Sequence, residues 1–354
     1  MSARIIHLDA DCFFAAIEMR ERPDLRERPI AIGGSTQARG VISTCNYPAR
    51  KFGVRSAMAT GQALRLCPGL ILLPHQMDLY RDVSASMMAI FKDYSELIEP
   101  LSVDEAFLDV SAVAQDENRA RDIAQSIRAR VQAELGITVS AGVAPNKFLA
   151  KVASDWRKPD GLFQVRESEV SRFMHDLPVK VIPGVGRVTH QQLQFLGVST
   201  CGQLQGFSRE ELAEHFGRFG ERLYDCSRGI DHRPVKVERE RKSVSVERTF
   251  AQDLVGQQSC YDQLPELWQR LQPRLARLEG NYRVSKGFVK VKFADFAQTT
   301  VERVGTEWDA RALQPLLAEA LGRGQQKVRL LGVGLRVTPR HQAPEPRQAG
   351  LFDN

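Results

Sequence analysis

The chain has 354 residues, 43% of them hydrophobic and 26% charged, which fits an ordinary globular protein and excludes fibrous, low-complexity and membrane-embedded classes. That length exceeds what one hydrophobic core usually serves, so about two to four compact units are expected. The formal net charge is +6, and residues 243–340 hold fifteen Lys/Arg against ten Asp/Glu, an excess that suits a polyanionic partner.

The six cysteines (Cys12, Cys45, Cys67, Cys201, Cys226 and Cys260) form no Cys-x-x-Cys or Cys/His cluster. Neither a zinc site nor a disulfide framework is indicated, and reduced thiols in the cytoplasm are expected. There is no apolar leader, and no run approaches the roughly twenty apolar residues of a membrane span.

Residues 4–8 read as a buried strand, followed by Asp9-Ala10-Asp11-Cys12-Phe13-Phe14. A carboxylate at the end of a buried strand is a common metal ligand. Two enzymatic readings stay open for this D-x-D. One is a phosphatase nucleophile, which fits poorly because the bulky Phe13 stands where a Thr or Val belongs. The other is the metal-binding strand of a nucleotidyl transferase. Asp11 is also placed to cap the helix expected over residues 13–20.

Residues 20–68 form a small, Arg-rich segment. Its hydroxyls, tyrosine and basic residues between Gly40 and Arg55 suit a polyphosphate, since Arg forks and hydroxyl donors match phosphate oxygens. No P-loop signature is present, and a basic solvated loop is the alternative. Helical spacing follows over residues 78–97, and over residues 120–135 with Gly136 as its stop.

Between those helices lies Asp104-Glu105, flanked by apolar runs. Residues 101–103 and 106–110 are expected to be hairpin arms with the two carboxylates at the tip. Asp-Glu is a poor hairpin turn. The pair is either a solvated acidic turn or a site that bends the backbone for its own purpose. A strand at 137–143 and a helix Lys147–Asp155 complete an α+β sheet, expected to be backed by helices on one face. Pro159 then biases Lys158 toward an extended loop, from which its ammonium could meet a phosphate.

Residues 177–204 read as helix, Pro183-Gly184-Val185-Gly186, helix. This matches a helix-hairpin-helix, whose Gly184 and Gly186 let backbone N–H groups approach a DNA phosphate; a plain helical turn is the alternative. Residues 216–220 could form a second such turn. A charged stretch at 230–242 is the clearest linker. Beyond it comes a βαββαβ pattern: strands at 243–250, 284–293, Gln298–Val304 and 327–337, helices at 259–279 and 310–322. Pro273 should kink or break the first of these helices. Lys286, Lys290 and Lys292 share the outer face of one strand, opposite Val289, Val291 and Phe293, so a flat nucleic-acid-binding sheet with a basic outer face is expected. The Pro/Gln-rich tail from His341 is expected to be disordered, with its terminal Leu-Phe a docking peptide.

Together these motifs closely resemble the Y-family DNA polymerases, in particular their bacterial DinB branch. The resemblance rests on His7–Phe14, Gly40–Arg55, Ser102–Asp109, Ser140–Lys151, Lys158–Gly161, Pro183–Gly186, Arg241–Thr249 and the terminal Gln-x-x-Leu-Phe. It implies a multidomain right-hand architecture. The palm would span 1–10 and 74–165, the fingers 11–73, the helix-hairpin-helix thumb 166–229, the linker 230–242, the βαββαβ little finger 243–340 and the tail 341–354.

The resemblance also implies an error-prone, translesion, template-directed polymerase without proofreading. Asp9, Asp104 and Glu105, with the Ala10 carbonyl, would hold two Mg²⁺ ions, Mn²⁺ being the alternative. Phe14 would exclude ribonucleotides, and Thr44, Tyr47, Arg50 and Lys158 would contact the dNTP. Gln348, Leu351 and Phe352 would bind a sliding clamp, with a slightly weakened grip because Gly350 precedes Leu351. A monomer acting on primer-template DNA is expected. The competing classes are a non-catalytic DNA-binding scaffold and the D-x-D phosphatase.

Overall fold

The computed structural model describes residues 3–340 other than 239 and 279. The chain divides into two compact units, one of Met1–Gly33 with Ile42–Glu238 and one of Gly34–Val41 with Arg239–Asn354. Gln348, Leu351 and Phe352 lie outside the described residues.

The first unit is built on a five-stranded sheet in the order Leu97–Pro100, Glu105–Asp109, Ile5–Ala10, Val139–Ala144, Leu162–Gln164. Its pairings are antiparallel except for the last. The central strand alternates between two different cores, because successive side chains point to opposite faces. Ile6 and Leu8 pack with Ala106, Leu108 and the helices Met77–Lys92 and Glu117–Leu135. Ile5 and Phe107 pack instead with Phe148, Leu149 and Val152 of the helix Lys147–Asp155. Helices therefore cover both faces, not one as expected. The central strand is buried on both sides, and alternation alone could not show that.

The hairpin also differs in register. Its first arm is Leu97–Pro100, Pro100 pairs with Ala106, and residues 101–104 form the turn. Glu105 is thus the first residue of a strand and only Asp104 belongs to the turn. The helix expected over 78–97 ends at Lys92, since Leu97 is needed for the strand. The first strand runs to Ala10, which places Asp9 within it rather than past its end.

A three-stranded sheet, Ile42–Cys45, Ile30–Gly33, Ile71–Leu73, carries the Arg-rich segment, with a core of its own that includes Ala31, Ile42, Ala49 and Val54. Asn46 locks the short helix Tyr47–Lys51 to this sheet. Its Oδ1 accepts from the backbone N–H groups of Ala49 (3.1 Å) and Ile30 (3.1 Å), and its Nδ2 donates to the Arg28 carbonyl (2.7 Å). A side-chain cap of this kind contributes about 1 kcal/mol.

Short helices fill residues 166–229. What precedes Pro183 is a single 3₁₀ turn, Val179–Val181, rather than a full helix; Arg187–Phe195 follows. Gly184 has φ +100°, and a Cβ there would fall 2.6 Å from the Phe219 ring, so glycine is required twice over. The linker expected from residue 230 is held at its start. Asp231 Oδ2 accepts from the N–H of Phe148, at 3.0 Å, in the first turn of Lys147–Asp155. Lys147 bonds Glu99 at 2.5 Å and the Pro234 carbonyl at 3.2 Å, while Glu99 accepts from the N–H of Lys236 at 2.8 Å.

The second unit is a four-stranded antiparallel sheet in the order Gln298–Val304, Tyr282–Phe293, Val328–Pro339, Ser243–Leu254. Three helices, Gly256–Tyr261, Leu264–Ala276 and Gln314–Gly322, pack on its apolar face. The break expected at Pro273 falls at residues 262–263, where Pro265 starts the next helix. Pro273 itself sits in that helix's last turn, where it removes one i−4 bond without ending the helix, which continues to Ala276.

Candidate active site

Asp9 and Glu105 are register partners across neighbouring strands and project, with His7, from the face that meets Lys147–Asp155. Ligand atoms of His7, Asp9 and Glu105 lie within 4.8 Å of one another. Two ionised carboxylates at such a spacing repel by about 3–4 kcal/mol at an effective dielectric near 20. Two lysines offset that repulsion here. Lys158 Nζ lies 2.7 Å from Asp9 Oδ1 and 2.8 Å from Asp155 Oδ1, and Lys151 Nζ bonds Glu105 Oε2.

The electrostatics separate the pair. Burial pushes the Asp9 carboxyl up to about 6, against the pull of Lys158. Burial acts the same way on Glu105, but hydrogen bonds from His7 and Lys151 outweigh it and hold that carboxyl down at about 2. Burial also pushes the His7 imidazole down to about 4, so it is neutral at pH 7. The tautomer that satisfies Glu105 donates to it from Nε2 (3.1 Å), and the one proton of the Ser154 hydroxyl is shared between Nδ1 and the Lys151 carbonyl, each 2.8 Å away. His7 thereby orients Glu105 rather than competing for its role.

Asp104 is half-buried in the turn and accepts from the Ser102 hydroxyl. Its carbonyl accepts from the N–H of Ala10 at 2.9 Å, which ties the turn to the end of the central strand. This carboxylate-rich oxygen donor set fits a hard divalent cation.

A cleft opens beside these groups. Asp9, Ala10, Phe14, Thr44, Tyr47, Arg50, Asp104 and Lys158 all line it, together with Cys12, Phe13, Ser43 and Ser56. Phe14 stacks on Tyr80 with ring centroids 4.3 Å apart, and the Tyr80 hydroxyl donates to the buried Glu18 at 2.6 Å. The Arg50 guanidinium lies 4.7 Å over the Tyr47 ring, and its Nε donates to the Cys45 carbonyl.

Asp11 does not cap the first helix. Cys12 holds the cap position in a left-handed conformation with no side-chain bond, and Asp11 is buried among donors from elsewhere. Lys151 was not singled out from the sequence, although Lys147, Lys151 and Asp155 recur every four residues and so put charge on one helix face.

Gly184 and Gly186 occupy the turn before Arg187–Phe195. The N–H groups of Val185 and Gly186 close that turn by bonding the carbonyls of Ile182 and Gly184, each at 3.0 Å. Lys286, Lys290 and Lys292 belong to the second unit's sheet. There Lys286 pairs with Glu302 (2.8 Å), Lys290 with Glu247 (2.8 Å), and Lys292 lies over the Phe296 ring, so this face is mixed in charge rather than purely basic.

Comparison with known proteins identifies the family. Profiles of the impB/mucB/samB family match residues 8–155 and, for its C-terminal domain, 241–351; a DNA polymerase-iota thumb domain profile matches 180–231. The chain belongs to this family, the Y-family DNA polymerases. It is 52% identical over 349 residues to the DNA polymerase IV of Pseudomonas syringae pv. syringae strain B728a, covering 99% of this chain and 98% of that one. It is 54% identical over 334 residues to the DNA polymerase IV of Pseudomonas fluorescens strain Pf0-1, covering 94% and 95%. A solved Y-family DNA polymerase chimera, Dbh-Dpo4(243-245)-Dbh, superposes with a TM-score of 0.86 at 26% identity, covering 94% of this chain and 98% of the other. No helix among the described residues is long and apolar enough to cross a membrane.

Proposed function

We propose that the chain is a template-directed translesion DNA polymerase, adding a deoxynucleoside monophosphate to a primer 3′ end with release of pyrophosphate. The observation that carries this reading is the convergence of Asp9 and Asp104 with Phe14, Thr44, Tyr47, Arg50 and Lys158 on one cleft, with Glu105 paired to Asp9. The family depends on divalent metal, and Asp9, Asp104 and Glu105, with the Ala10 carbonyl, are the groups we assign to two Mg²⁺ ions or, alternatively, Mn²⁺. Such ions supply a lowered pKa for the attacking hydroxyl and neutralise the leaving oxygens.

The protein's own groups do the rest. Arg50 and Lys158 offer charge, and Thr44 and Tyr47 hydroxyls offer donors, to the polyphosphate. Phe14, backed by Tyr80, takes the position under the sugar and excludes a 2′-hydroxyl. In the thumb, the first N–H groups of Arg187–Phe195 have no side-chain cap at Gly186, so they suit a DNA phosphate. Lys286, Lys290 and Lys292 are assigned to the DNA backbone. We assign no proofreading step to the described residues. We assign Gln348, Leu351 and Phe352 to a sliding clamp; removing residues 348–354 should leave basal extension intact and abolish clamp stimulation, and equal stimulation would refute that assignment.

A primer-extension assay with Mg²⁺ and dNTPs tests the whole reading. Template-matched extension is expected. Template-independent phosphate release would indicate the phosphatase, and DNA binding without extension the scaffold.

A further inference from the structure

Asp11 is 3% exposed, yet among the described residues no cation hydrogen-bonds its carboxylate. It is satisfied by four donors from three places in the chain. Oδ1 accepts from the hydroxyls of Ser140 (2.8 Å) and Tyr47 (3.3 Å). Oδ2 accepts from the Thr138 hydroxyl (2.8 Å) and the N–H of Asp160 (2.8 Å). An ionised carboxylate has about four acceptor positions, so this one is filled.

Two of those donors flank the cleft from separate elements. Tyr47 begins the helix Tyr47–Lys51 and lines the cleft, while Asp160 follows two residues after Lys158, which lines it too. The Asp160 loop is gripped further: Ser140 Oγ accepts from the N–H of Gly161 (3.2 Å), and Arg128 bonds the Asp160 carboxylate (2.6 Å). Nothing in the reaction requires a buried acid at this point. What its contacts accomplish is to fix the distance between the Tyr47 side and the Lys158 side of one cleft.

We propose that Asp11 is a positioning residue that holds Tyr47 and the Lys158–Asp160 loop at the spacing a nucleoside triphosphate requires. The proposal rests on reading Tyr47 and Lys158 as triphosphate contacts. Asp11 does not touch the nucleotide. The Tyr47 contact, at 3.3 Å, is the longest of the four, and the bond from the Asp160 N–H is the one that holds the loop directly.

The test uses the full chain with primer-template and Mg²⁺. In Asp11→Asn the shape is kept, but the amide nitrogen cannot accept from the donors that face it. Because bonds to a charged acceptor are strong, KM for dNTP should rise about tenfold, with kcat changed far less and primer-template affinity unchanged. In a Lys158→Ala background the same substitution should raise KM by clearly less than in the wild-type background, since one of the two groups it positions is gone. A wild-type KM, or a loss of kcat and DNA binding with KM unchanged, would overturn the proposal. Should Asp11→Asn fail to fold, Ser140→Ala removes one donor to Asp11 and the acceptor for Gly161 without touching the cleft. It should raise KM in the same direction, and a wild-type KM there would equally overturn the idea. Lys158→Ala and Tyr47→Phe alone distinguish the two layers. If neither raises KM, the triphosphate reading fails; if both do and Asp11→Asn does not, only the role of Asp11 fails.

Discussion

Partly buried acidic side chains of the first compact unit and exposed ones of the second serve different ends. In the first, the side chains of Asp9, Glu105 and Asp231 are 19%, 20% and 6% exposed, each bonded by fixed donors. In the second, Glu247, Glu302 and Glu319 are 53%, 34% and 39% exposed and pair with Lys or Arg across the surface. Buried charges act at low dielectric, so their partners determine both position and protonation. Exposed pairs contribute about 0–1 kcal/mol each and exchange partners readily. The first arrangement suits groups that must sit accurately around a reacting phosphate. The second suits a surface that gives up its acidic partners to bind a polyanion.

The largest test of that contrast is Asp104→Ala. Removing one carboxylate of the cleft should reduce extension by a factor of about 10³ or more while DNA binding persists, as for loss of a group acting on transition-state charge. Loss of binding in a gel-shift assay would instead make Asp104 structural. Next comes Phe14→Val, which removes the ring but not its Tyr80 backing. Incorporation of ribonucleotides relative to deoxynucleotides should rise by roughly 10² in single-nucleotide assays, the scale of a lost steric exclusion. Unchanged sugar selectivity would sink that assignment.

How much of this was visible in the chain follows from the range of the interactions. The helix Lys147–Asp155 and the strand Gln298–Val304 were legible to the residue, because local periodicity sets both. The residues that line the cleft were singled out through the family resemblance of the motifs that carry them, not through local spacing. The hairpin register was not: Pro100 pairing with Ala106 depends on the central strand on the other side. Nor was the environment of Asp11, whose donors come from positions 47, 138, 140 and 160. Positions 138 and 140 have the spacing of one strand face, but no spacing rule joins them to 47 or 160. Lys151 lay between, hinted at by helical spacing but aimed at Glu105 only by the packing of helix on sheet.

Asp231 extends the comparison to stability. Burial raises its carboxyl, but Arg233, 2.7 Å away, outweighs that and sets it below the ordinary carboxylate range. A carboxyl depressed in the folded state stabilises above its unfolded value, near 4, and loses that contribution as pH falls through the folded value. Asp231→Asn should therefore cost roughly 1–3 kcal/mol at pH 7, the worth of bonds to a charged acceptor. In denaturant unfolding, the gap from wild type should stay flat down to about pH 5 and narrow below about pH 4. A gap that widens with acid would reverse the sign of the argument.

The smallest expected effect tests the exposed side. Glu302 is shared by Lys286 at 2.8 Å and Arg336 at 3.0 Å, and these bonds draw its carboxyl below the usual range. Because all three side chains are a third or more exposed, Glu302→Gln should change unfolding stability by less than about 1 kcal/mol. It does leave two cations without their acid. If this face meets DNA phosphates, affinity at low salt should rise about threefold, and the dependence of log K on log salt should steepen by roughly one. Glu319 provides the matched control, since it likewise bridges two arginines, Arg303 at 2.9 Å and Arg323 at 2.7 Å, but from the helix Gln314–Gly322 on the apolar side of the sheet. Glu319→Gln makes the same change in net charge. Equal gains from both variants would mean that overall charge, not the outer face of the sheet, governs binding; a gain confined to Glu302→Gln would locate the DNA on that face.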